Sequence, residues 1–293
     1  MNSSKLAIDG ISKFVLGGAA AASFLGLAAI MLFLASEGLP AFSFINPVQF
    51  LTSTEWYPTE DPASYGIGAL IIGTMSATLL TILISAPIGI ASAIALHAGC
   101  SPTARRILKP AVELMASVPS VVLGFIGIAF IAPVMQNIFG VPSGLNLMNA
   151  ALMLSFMSIP TIATISEDAL RNVPQSLREA SLALGASRWE TLVKVELRWA
   201  MAGIGTALML GISRTIGETM VVLMVAGGAG IIPESIFDPV RPMTSSIAAE
   251  MAEAAVGSDH FHALYATGLV LFLFTFAFNF LAWYITKKAD IKR

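Results

Sequence analysis

Residues 199–226 read WAMAGIGTALMLGISRTIGETMVVLMVA, an apolar run carrying two charges, Arg214 and Glu218. A hydrocarbon core about 30 Å thick needs roughly 20 helical residues, so this stretch is long enough to cross a bilayer. Each charge at a helix centre costs roughly 2.5–3.5 kcal/mol on an insertion scale. Such a cost turns the charged face toward a helix bundle rather than toward lipid. Arg214 and Glu218 are four apart, so on one helix they share a face and can meet. Thr206, Ser213 and Gly217 lie on or near that face, with Met209, Ile212 and Ile216 opposite. Two readings stand. The pair is a structural tie that fixes packing, or it is a pathway site in which the planar donors of Arg214 take an oxyanion and Glu218 holds or releases it.

Outward from this segment, five more apolar stretches of spanning length fall near 14–36, 67–96, 111–133, 147–166 and 263–286. The whole chain of 293 residues is 56% hydrophobic and 12% charged, against roughly 25% charged in soluble domains. Its mean hydropathy of +0.81 leaves too much apolar surface for a water-soluble core to hide. The expected fold is therefore all-α, a polytopic membrane protein of six transmembrane helices. The first stretch is longer than the roughly 7–15 residues of a signal-peptide core and is read as a retained anchor.

Loop charge sets the orientation. Lys5 and Lys13 precede the first span, and Arg105, Arg106 and Lys109 follow the second. Arg171, Arg178, Arg188, Lys194 and Arg198 follow the fourth, and Lys287, Lys288, Lys292 and Arg293 end the chain. The alternate loops hold Arg241 alone. The basic side is the cytoplasm, with both termini inside. The expected organisation is a cytoplasmic segment 1–13, a first span and long periplasmic loop 14–66, a core 67–286 containing a cytoplasmic loop 167–198, and a tail 287–293. The acidic residues of the outer loops, among them Glu55, Glu60, Glu234, Asp238, Glu250 and Asp259, are read mostly as a solvated face.

Several chemistries are excluded or discounted. The net charge of −2 gives no global attraction to nucleic acid. Cys100 is the single cysteine, so no internal disulfide or multi-cysteine metal site can form. His260 and His262 are not at helical ligand spacing and read as a surface loop rather than a metal site. No Gly-x-x-x-x-Gly-Lys occurs, so ATP binding by this chain is not expected. Catalytic residues, cofactors and metals are assigned to none of its positions. Pro87, Pro119 and Pro160 sit in or near spans and kink them. Gly124, Gly127, Gly203 and Gly211 allow close helix approach.

The loop between spans four and five has structure of its own. Asn172-Val173-Pro174 starts a helix, which runs to about Leu184. Gly185 ends it in the left-handed conformation, and Ser187-Arg188-Trp189-Glu190 fits a capping box opening a second helix. The mixed charges of Arg178, Glu179, Arg188, Glu190, Lys194, Glu196 and Arg198 suit a protein partner better than an anionic lipid surface.

Glu179-Ala180-Ser181, then Gly185, then Val195-Glu196-Leu197 resembles the EAA loop of bacterial ABC importer permeases, departing from it at Ser181, Val195 and Arg198. The resemblance implies a coupling loop that docks on a separate ATPase, through Arg178, Glu179, Ala180, Ser181, Gly185 and Ala186. Gly211 to Met220 is similar to the matching segment of phosphate-specific ABC permeases. So are Tyr65-Gly66-Ile67 with Ile72-Gly73-Thr74, Pro87-Ile88-Gly89, Glu113 to Val122, and Glu167-Asp168-Ala169-Leu170 with Val173-Pro174. The long outer segment Phe50 to Pro58 looks like the PstC type. This resemblance, spanning about residues 40–286, implies a substrate pathway at Arg214, Glu218, Ser213 and Thr215. The implied partners are a second, PstA-type permease in a heterodimer, two ABC ATPase subunits holding ATP and Mg, and a periplasmic phosphate-binding protein. The expected location is the bacterial inner membrane. The rival readings are a permease for sulfate or molybdate, an ion-gradient-driven secondary transporter with Glu218 as proton carrier, and a signalling subunit whose loop contacts a sensor kinase.

Overall fold

The computed structural model describes residues 3–290. The cytoplasmic placement expected for residues 1, 2 and 291–293 lies outside the described residues. The chain opens with α1 (Ser3–Gly38), followed by a short 3-10 turn and α2 (Pro47–Thr52), whose first turn is capped by Asn46 Oδ1 accepting from Val48 N–H at 2.9 Å. A two-residue antiparallel ladder, β1 (Trp56–Tyr57) with β2 (Ser64–Tyr65), is a small addition to the all-α expectation. The long α3 (Gly68–Ile94) contains Pro87 and unwinds into a π turn ending at Gly99. Then come α4 (Pro102–Ala116), α5 (Ser120–Ile126), α6 (Ala132–Phe139) and α7 (Leu147–Arg171), the last with Pro160 inside it. The hairpin α8 (Gln175–Ala183) and α9 (Arg188–Thr191) leads through a π turn into α10 (Leu197–Ile216). Short helices α11 (Met220–Val225) and α12 (Met243–Glu250) precede α13 (Asp259–Asp290).

Among the described residues, six stretches are long and apolar enough to cross a membrane: Val15–Ser43, Gly68–Gly99, Ser120–Phe139, Leu147–Arg171, Arg188–Ile216 and Asp259–Leu281. Two sequence-based spans need correction. The third, expected at 111–133, is divided: residues 111–116 belong to α4, which stops before Ser117-Val118-Pro119. Pro119 disfavours helical backbone at Val118 and offers no N–H of its own. The fifth, expected as one helix over 199–226, breaks at Gly217-Glu218-Thr219. Glu218 therefore lies in a helix break and not on the helix that carries Arg214.

The most buried span is α7, which packs along α3 and α10 and against α4. Small residues permit this. A side chain on Gly203 would collide with Ala169 of α7, and one on Gly89 would come within 2.7 Å of Ile162 Cγ2. The same holds for Gly124 against Met224 and Gly127 against Val225, as the glycine spacing anticipated. By contrast α1 packs on α13 and the adjoining turn and leaves Phe24, Leu25 and Leu32 exposed. Such faces belong in hydrocarbon, where the helices satisfy their own backbone groups.

At the end opposite the hairpin, Phe50, Trp56, Ile67, Leu70, Met243 and Leu264 form an apolar cluster. Glu250 stands inside this cap and is not part of a solvated face. Its carboxylate accepts from Trp56 Nε1 at 2.9 and 3.1 Å, Arg241 Nη1 at 2.9 Å and Ser246 Oγ at 3.0 Å, and meets His260 Nε2 at 2.9 Å. His260 and His262 are half-buried on the first turn of α13, so the surface-loop reading of both is corrected; His262 Nδ1 lies 2.8 Å from the Glu37 carbonyl oxygen. Outside the spans, burial pushes the Tyr65 phenol above its ordinary pKa, with Asp259 adding to the effect. Replacing Glu250 with Ala strands several donors at once, each worth roughly 1–3 kcal/mol if left unsatisfied. The expected result is a lower thermal midpoint for the purified protein and faster proteolysis between residues 227 and 258.

Candidate functional site

The hairpin is built as its residues require. Gly185 takes φ +85°, where a side chain would be strained. Ser187 Oγ accepts from Glu190 N–H while Glu190 Oε2 accepts from Ser187 N–H at 3.0 Å, a full capping box. Ser181 Oγ and Thr191 Oγ1, 2.9 Å apart, tie α8 to α9. Glu179, Ala180 and Gly185 are exposed on the outer surface of the hairpin, Ala186 is half-buried, and Leu184 is 90% exposed. Leu184 is thus an apolar side chain open to solvent beside the turn at Gly185.

Arg178 points the other way, into the bundle. Its Nη2 donates to the Leu170 carbonyl at 2.8 Å, and its Nε lies 3.3 Å from Glu196 Oε1. Glu196 Oε2 in turn meets His97 Nε2 at 2.6 Å. One carboxylate thus joins the hairpin, the start of α10 and the end of α3. His97 had no role in the sequence reading, and Glu196, read there as one of the charges offered to a partner, is instead buried between His97 and Arg178. Nearby, the fully buried Glu167 is bound by Arg105 and by Lys109 Nζ at 2.7 Å, which fixes α4 on α7. Replacing Glu196 with Ala is expected to leave the hairpin folded but loosely attached. Hydrogen exchange at residues 175–185 should rise severalfold, while α7 stays protected.

The second part of the site lies deeper. Thr215 is buried, and its Oγ1 bonds the Gly211 carbonyl at 2.9 Å and faces Ser158 Oγ at 3.1 Å. Ser158 stands about 17 Å from one end of α7 and about 20 Å from the other at 1.5 Å per residue, so this level is near mid-membrane. Ser213 Oγ donates to Asn279 Oδ1 of α13 at 2.6 Å. Arg214 faces away from both and is exposed, its Nη2 reaching the Ala116 carbonyl at 3.4 Å. No ion pair joins Arg214 to Glu218 among the described residues, because the helix ends at Ile216 and the four-residue spacing no longer sets the geometry. Glu218 Oε1 instead accepts from Val221 N–H at 3.4 Å, and its carbonyl accepts from Thr244 Oγ1 at 2.8 Å. The polar stripe expected to point into the bundle is on an open face: Thr206, Leu210, Arg214 and Gly217 are all exposed.

The architecture can be compared with known proteins. Residues 85–291 match the model of the family described as binding-protein-dependent transport system inner membrane component. The chain belongs to that family. Two relatives carry the likeness over most of their length. The probable ABC transporter permease protein YqgH of Bacillus subtilis is 38% identical over 265 residues, covering 90% of this chain and 86% of that protein. The phosphate transport system permease protein PstC of Mesorhizobium japonicum is 34% identical over 288 residues, covering 92% and 86%. In fold, the chain is similar to a bacterial alginate ABC transporter in complex with alginate pentasaccharide-bound periplasmic protein, with a TM-score of 0.64, 13% identity, and coverage of 96% of each chain. This permease is thus a multi-pass membrane component of an ABC importer, and its relatives are permease subunits rather than enzymes.

Proposed function

We propose that this permease is the PstC-type half of an ATP-driven phosphate importer of the bacterial inner membrane, with both termini cytoplasmic. The observation that carries the reading is the exposed Arg214 at mid-membrane on an unpartnered face of α10. A guanidinium facing hydrocarbon is expensive, so that face meets a second permease, of PstA type, and the pathway lies between the two. Arg214 offers planar donors to the phosphate oxygens. Ser213 and Thr215 hold its height by bonding to α13 and α7, and Glu218 sets the helix break beside it. A periplasmic phosphate-binding protein delivers the anion to the Glu250 end. Two ATPase subunits, holding ATP and Mg, grip the hairpin at Glu179, Ala180 and Gly185. Arg178, Ser181 and Ala186 carry the motion inward. A sensor kinase is a further partner for the same exposed hairpin, to be sought by co-purification under phosphate limitation.

The names of the relatives support phosphate over sulfate or molybdate. The test is uptake of radiolabelled phosphate by proteoliposomes holding both permeases, the ATPase and the binding protein. Excess sulfate and molybdate should leave uptake unchanged, and uptake should stop without ATP. Uptake that survives loss of the ATPase would replace this reading with a gradient-driven transporter.

A further inference from the structure

At the hairpin end, the turn from α3 into α4 opens a cavity of about 650 Å³. Cys100, Arg105, Arg106, Lys109, Glu113 and Arg171 line it. The α4 residues recur at helical spacing, so one face of that helix is turned to the cavity. Arg171 comes from the end of α7. The cations divide into two kinds. Arg105 and Lys109 are committed to Glu167, and Lys109 also to Asp168 at 2.9 Å. Arg106 and Arg171 make no ion pair or side-chain hydrogen bond among the described residues. Glu113, the carboxylate of this lining, is likewise unpaired there and sits about two turns along α4 from Arg106.

A bias of basic residues toward the cytoplasm explains why such side chains occur at this end. It does not require arginines of two separate helices to open onto one cavity. Convergent like charges repel one another, and an anion between them relieves that repulsion. Each free guanidinium presents a planar fork matched to phosphate oxygens. We propose that this cavity is a cytoplasmic site for a phosphate-bearing anion, separate from the Arg214 pathway. The anion is either inorganic phosphate from the cytosol or the headgroup of an anionic lipid. The inference rests on the orientation proposed above but not on phosphate being the cargo, and its readout is independent of uptake.

Cys100 makes the test direct, because it is the sole cysteine of the chain and lies in the lining. The complete importer is placed in phosphatidylcholine nanodiscs, and modification of the Cys100 peptide by small anionic and cationic thiosulfonates is timed by mass spectrometry. The anionic reagent should react severalfold faster than the cationic one. Millimolar inorganic phosphate should slow it severalfold if the occupant is the free ion; phosphatidylglycerol should do so without added phosphate if it is a headgroup. The pair Arg106→Gln and Arg171→Gln should abolish both the preference and the protection, while Arg214→Gln leaves them intact. Protection that persists in the double variant overturns the proposal, as do equal rates for the two reagents with no effect of phosphate or lipid. In intact vesicles of known sidedness, reaction of a membrane-impermeant reagent from the outer face would overturn it as well.

Discussion

Replacing Arg214 with Gln is expected to lower ATP-driven phosphate uptake by about 10- to 100-fold, equivalent to the roughly 1.5–3 kcal/mol of a hydrogen bond to a charged group. Assembly should survive. The side chain is exposed, and its one bond among the described residues is the 3.4 Å contact with the Ala116 carbonyl. An amide can still donate there, so the charge is lost while a local partner is kept. Arg214→Lys sharpens the result. Lysine keeps the charge without the planar fork, so intermediate uptake would indicate bidentate recognition. Uptake is read in proteoliposomes and assembly by size-exclusion of the purified complex. A variant that fails to assemble would assign Arg214 a packing role instead, even though it pairs with no acidic side chain among the described residues.

Scrambling residues 179–185 is expected to abolish co-purification of the ATPase, the second large effect. The segment supplies the exposed Glu179, Ala180 and Leu184 and the left-handed Gly185 that turns α8 toward α9. The bundle does not depend on it, because the core clusters lie elsewhere and Arg178, which ties the hairpin to Glu196, is left in place. The permease should therefore still be extracted as a folded protein. ATPase retained at the wild-type ratio would remove the docking assignment.

The helices and the hairpin were legible in the sequence because their signals are local. Apolar length marks a span, and Gly185 and Ser187 to Glu190 mark a turn and a cap whatever surrounds them. The break at 217–219 was not legible for a physical reason. Gly217 and Thr219 are tolerated within membrane helices, and the flanking apolar run hides the interruption that Thr244 and Val221 help to satisfy. Glu250 shows the same limit. Its donors come from four places, and Trp56 lies 194 residues away, so no window of sequence could separate it from its solvated neighbours. Arg214 was recognised from its cost in hydrocarbon, but which neighbour it faces depended on where the helix stopped.

Four interruptions of the bundle lie near one depth. The break after Ala116 is met by Arg214, and Thr215 faces Ser158. Pro160 lies half a turn beyond Ser158 on α7, and Pro87 precedes Gly89, which abuts Ile162. In α4, α7, α10 and α3 alike, the ladder of backbone hydrogen bonds is missing a rung within about one turn of a common plane. Bending at this level sacrifices no rung that the prolines and the helix ends have left in place. Such bending would divide the bundle into two slabs. One slab is latched by Glu250 and the other carries the hairpin, with Arg214 at the level between them. A push delivered at the hairpin need not deform the whole thickness of the protein. If the hairpin docks as proposed, such a push would tilt one slab against the other at the level of Arg214.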